Sequence, residues 1–100
     1  MKPLWTLHIV KNQQRGAETT YTVSRRASGQ TGVEGGAVQQ ASAASPQSWG
    51  RLSRVLEQVA RVDPAKMALA KKELDSQGSI DLPEMALDSM DLRLIGFSDV

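Results

Sequence analysis

The chain has 100 residues, with 12 Lys+Arg against 11 Asp+Glu, a single His, no Cys and a formal charge of +1, which leaves room for one domain at most. Zinc sites built from Cys or His clusters, thiol catalysis and disulfide scaffolds are excluded, and the near-neutral balance argues against a dedicated nucleic-acid binder, which shows a strongly basic face. The only aromatic residues are Trp5, Tyr21, Trp49 and Phe97, and much of the 40% hydrophobic content is Ala, so composition does not promise a sizeable core.

In chain order, Leu4-Trp5-Thr6-Leu7-His8-Ile9-Val10 is rich in β-branched and aromatic residues and places Trp5, Leu7 and Ile9 on one side of a period-two pattern. The run is short, is broken by Thr6 and His8 and lacks a small-residue cleavage site, so it is not a secretory signal. No stretch approaches the roughly 20 apolar residues that span a bilayer, and no membrane partner is expected. After Asn12-Gln13-Gln14-Arg15-Gly16, the segment Thr19–Val23 alternates again and completes a β-hairpin. A hairpin alone is marginal in water and needs a surface to lie on.

From Ala27 to Gly50 Gly, Ser, Gln and Ala dominate, Glu34 is the only charge, and no period is present. Such a segment cannot offset an ordering cost of roughly 1–2 kcal/mol per residue and reads as a flexible linker. Trp49 at its end is either a partner contact or packs on the following helix. Leu52, Val55, Leu56, Val59 and Val62 then form one stripe of a helix. Asp63-Pro64 supplies a cap and a first-turn proline for a second helix, with Met67, Ala70 and Leu74 on one face and Gly78 as its terminator. Asp81 and Glu84 have capping-box spacing, with Pro83 in the first turn, so a third helix is expected to run to about Ile95, with Met85, Ala86, Ser89, Met90 and Leu94 sharing a face. The expected class is therefore mainly α. Residues 1–26 form a weakly ordered N-terminal segment with a hairpin, 27–50 a linker and 51–96 a helical partner-binding region.

Charge is uneven along this last part, basic from Arg51 to Lys72 and acidic from Glu73 to Val100. Either these are solvated helix faces, or the helices form a two-signed strap for complementary patches on a larger partner. Three short helices without bulky aromatics are marginal alone, so ordering on a partner is the expected state.

The run from Val62-Asp63 through Lys66-Met67, Leu74, Gly78-Ser79-Ile80 and Met85-Ala86 to Met90 resembles the C-terminal region of FlgM-type flagellar anti-sigma factors. The polar tract upstream resembles that family's unfolded first half. The resemblance covers roughly Leu52 to Met90. It implies a bacterial negative regulator of transcription, without catalysis or cofactor, that sequesters the flagellar sigma factor in the cytoplasm and leaves through the flagellar export apparatus. By that resemblance Val62, Met67, Ala70, Leu74, Gly78, Ile80, Met85, Ala86 and Met90 form the partner-binding set; the alternative is that they build an internal helical core. The alternative function is that of a small export-system adaptor or structural protein-interaction module that folds stably alone. No metal site or direct nucleic-acid contact is expected. Asp88-Ser89-Met90 is similar to an acyl-carrier attachment motif, Arg25-Arg26-Ala27-Ser28 to a basophilic kinase site, and His8 with Ser and Asp residues to a hydrolytic triad. Chance matching, a short chain and a solvent-facing hairpin His explain these more simply.

Overall fold

Alternation of Leu7 and Ile9 with Thr6, His8 and Val10 makes β1 (Leu4–Asn12) two-sided, one side apolar and one polar. In the computed structural model, which describes residues 2–12, 18–27 and 43–100, β1 pairs antiparallel with β2 (Thr20–Ala27), setting Ile9 opposite Val23 and Lys11 opposite Tyr21. A third strand, β3 (Ser79–Ala86), pairs antiparallel with the other side of β1, so β1 is central and the order is β2-β1-β3. Leu7, Ile9, Tyr21 and Val23 are buried on one face.

Among the described residues, three helices complete the core against this face. In α1 (Trp49–Val59) Ser48 caps the start, its Oγ accepting from the Arg51 N–H at 3.3 Å, and Leu52 and Leu56 are buried. The α2 helix (Pro64–Gln77) starts as its sequence requires: Asp63 Oδ1 accepts from Ala65 N–H at 2.9 Å and Pro64 holds the first turn. It buries Met67, Ala70 and Leu74, and Gly78 ends it at φ 88°, its N–H donating to Leu74 O at 2.7 Å. In α3 (Ser89–Ile95) Asp88 and Asp91 form a reciprocal capping box, and Leu92 and Ile95 are buried.

The chain is therefore not mainly helical, and its first half is not weakly ordered over the described residues. The hairpin contributes Leu7, Ile9, Tyr21 and Val23 to the core instead of flickering beside it, because the helices cover its apolar face. The scarcity of aromatics is met by aliphatic side chains: Leu7, Ile9, Leu52, Leu56, Leu74 and Ile95 are fully enclosed. The helix expected from Asp81 is corrected most sharply. Residues 79–86 are strand, and α3 begins only at Ser89. Pro83 and Glu84 lie together opposite Thr6, a bulge in which Trp5 faces Met85 while Leu7 faces Leu82, with Glu84 at φ 60°. The bulge interrupts the period-two pattern and leaves helix-start chemistry as the visible signal. As for the expected linker, residues 28–42 lie outside the described residues. Ala43–Gln47 runs along the outer edge of β2, where Tyr21 and Gln47 exchange backbone hydrogen bonds of 2.8 and 3.0 Å and Ala44 N–H donates to Val23 O at 2.7 Å. At the opposite edge Pro83 and the bulge shorten the run of strand available for further pairing.

The acidic end of the sequence is paired largely within the molecule. Lys2 Nζ lies 2.9 Å from Asp91 and 3.8 Å from Asp88, and His8 Nδ1 lies 2.7 Å from Asp81. The Arg25 guanidinium donates to Asp99 at 2.9 Å while lying 5.2 Å from the Trp5 ring centre and 4.9 Å from that of Phe97. With Trp5 Nε1 donating to Leu87 O at 3.0 Å, this clamp ties the C-terminal turn to the hairpin. A planar fork between two rings is poorly replaced by an ammonium. Arg25→Ala is expected to lose about 2 kcal/mol of unfolding free energy in a urea titration, and Arg25→Lys to recover only part of it.

Asp91 titrates below the ordinary carboxylate value of 3.8, chiefly through its hydrogen bond from Lys2, with the Asp88 backbone N–H adding to it. A folded-state value below the unfolded one makes the carboxylate's contribution complete above pH 3.8 and progressively lost as pH falls through the lower folded value. Melting temperatures measured from neutral pH into the acid range will therefore fall less steeply for Asp91→Asn than for the wild type.

Candidate partner-binding groove

Lys11 and Tyr21 are opposite one another on the core side of the hairpin. The strand-edge segment Ala43–Gln47 then delivers the start of α1 over this end of the sheet, placing the Trp49 ring edge-on to Tyr21 with centroids 5.3 Å apart and planes at 66°. The last two turns of α2 bring Lys71 and Asp75 to the same place. Together with Glu18, Thr19, Ser48 and Gly50 these residues line an open groove of about 530 Å³, within the size range of natural ligand sites.

The groove joins an aromatic wall to a charged one. Trp49 packs partly against the core while keeping some of its surface in water, the situation in which Trp and Tyr serve well at interfaces. Asp75 is shared by two cations from different elements: Lys71 Nζ donates to its Oδ2 at 3.0 Å, and Lys11 Nζ lies 3.3 Å from its Oδ1. The hydrogen bond from Lys71, followed by that from Lys11, holds the Asp75 carboxyl below its usual range. The same bond to Asp75, helped by Tyr21, holds Lys71 above the usual lysine value.

Comparison of the chain with protein-family models, with curated proteins and with solved structures finds no match. No described helix is long and apolar enough to cross a membrane. Among the described residues, no group of three or more His, Cys, Asp or Glu side chains converges on a metal position.

The residues that the anti-sigma resemblance places against a partner are scattered by the fold. Met67, Ala70 and Leu74 are buried. Val62, between α1 and α2, and Ile80 and Met85, on β3, pack partly buried against the core. Gly78 is the left-handed cap of α2. Ala86 is exposed at the end of β3, and Met90 is 73% exposed on α3. None of the nine lines the groove. Of the groove residues only Trp49 stands out in the sequence as a candidate contact; the i,i+4 spacing of Lys71 and Asp75 is a readable sign of an ion pair, whereas the approach of Lys11 depends on tertiary packing.

The remaining motifs are placed as follows. His8 is opposite Ser24 on β2 and Asp81 on β3, all on the polar sheet face, and its contact with Asp81 links the edge strand to the centre. Ser89 is the exposed first residue of α3, with Asp88 capping that helix. Arg25 belongs to the aromatic clamp, and Ser28 lies outside the described residues.

Proposed function

We propose that the chain is a non-catalytic protein-interaction module that folds without its partner and receives a segment of that partner in the Trp49 groove. The observation that carries this reading is the partly buried Trp49 ring, braced edge-on by Tyr21 beside the Lys11–Asp75–Lys71 bridge. Trp and Tyr are among the residues enriched in interface hot spots, and the charged groups beside them supply polar contacts at the rim. Helices that fold only on a sigma factor fit less well. Met67 and Leu74 already belong to the buried core, so a sigma factor would have to unfold the core to reach them, and threading an export channel would require the same.

The reading is tested by selecting displayed peptides on the full chain and measuring the affinity of the winners for Trp49→Ala and Lys71→Ala. The expected result is a loss of about tenfold or more on Trp49→Ala, with melting temperatures showing both variants folded. Lys71→Ala is the control for any loss of packing at Trp49 and should weaken the same peptides. Unchanged affinity on both variants, or a selection without enrichment, would overturn the reading.

A further inference from the structure

The two oxygens of Asp75 each meet a different ammonium, Lys71 at 3.0 Å and Lys11 at 3.3 Å. That is the position an incoming carboxylate would take: one oxygen per cation, immediately beside the Tyr21–Trp49 wall. Asp75 and Lys71 are substantially exposed, with 39% and 43% of their side chains in water, and Lys11 is less so at 25%; an exposed ion pair such as Lys71–Asp75 contributes little to stability, so its carboxylate is easily exchanged. Among the described residues, the charged groups lining the groove are Lys11, Lys71, Asp75 and Glu18. With Asp75 turned out, two cations face, among the described residues, Glu18 alone, and the vacated position is complementary to an acid.

Resting on the reading of the groove as a binding site, we infer that its partner segment is acidic, one carboxylate replacing Asp75 between Lys11 and Lys71 beside Trp49, and that Asp75 is a built-in competitor that sets the affinity. Removing the competitor strengthens binding; removing a cation weakens it; added salt weakens it too.

The test uses two acetylated, amidated peptides of equal length, one with Glu on both sides of a Phe and the other with Gln in those places, titrated into the full ¹⁵N-labelled chain. The expected result is shifts at Tyr21, Trp49, Lys71 and Asp75, tighter binding of the Glu peptide, and a further gain of up to about fivefold in Asp75→Asn, the range set by an exposed ion pair. Lys71→Gln should reduce the preference for Glu. Equal binding of the two peptides at the groove, or no gain in Asp75→Asn, overturns the acidic partner while leaving the groove as a site. An absence of groove shifts with either peptide overturns both.

Discussion

Leu74→Ala is expected to lower the unfolding free energy by about 2–5 kcal/mol, the cost of a cavity at a fully enclosed leucine. For a domain of this size, that lowers the melting temperature by roughly 10 °C or more. Leu74 lies one turn before the cap of α2, and its carbonyl accepts the Gly78 N–H, so a cavity there loosens the junction between α2 and β3. Met90→Ala should change stability by no more than about 0.5 kcal/mol, because the Met90 side chain is exposed. The contrast is informative because both residues belong to the set that the anti-sigma resemblance places on a partner. A surface role for both would make the two variants equally stable in thermal melts of the free protein.

The second large effect belongs to Gly96. Its φ of 127° is one that residues with a side chain rarely adopt, and an added Cβ would sit 3.3 Å from both Ala44 Cβ and Gln47 Nε2. Those neighbours have little room to retreat, since Gln47 Nε2 donates to Ile95 O at 2.8 Å and Ala44 is hydrogen-bonded to β2 through its backbone. Gly96→Ala therefore combines backbone strain of about 1–3 kcal/mol with crowding of similar size. Chemical denaturation should show a loss of at least about 2 kcal/mol. Gly50→Ala is the matched control. Gly50 lies in the first turn of α1 with open space where its Cβ would stand, so it should be neutral or stabilising by up to about 1 kcal/mol.

Local chemistry foretold much of this fold. Asp63-Pro64 and Gly78 mark the two ends of α2, and the spacing of Met67, Ala70 and Leu74 marks its buried face. The side of β1 that carries Leu7 and Ile9 is likewise apparent from alternation alone. What local chemistry could not convey was pairing at a distance. Lys2 reaches Asp91, Arg25 reaches Asp99 and Lys11 reaches Asp75, so the acidic end that looked like one pole of a strap is largely paired with cations from the first 25 residues rather than held out for a partner. The segment from Ser79 to Ala86 was misleading for another reason: Pro83 and Glu84 form a strand bulge, yet in sequence they are indistinguishable from the first turn of a helix. At the groove, Trp49 stood out in a polar tract, but its companion Tyr21 could be found only once Gln47 was paired to β2. A scarcity of aromatics suggests helices completed by a partner, whereas the core is made mainly by aliphatic residues from both halves, with Tyr21 and Phe97 buried among them.

A core that forms without a partner is visible in amide hydrogen exchange on the free chain. Ile9 in the central strand and Leu74 in α2 are fully enclosed, and their amides should exchange only through global unfolding, with protection that falls together in Leu74→Ala. Exchange of both amides at unfolded-chain rates, in a sample that becomes protected only when a partner is added, would contradict the account.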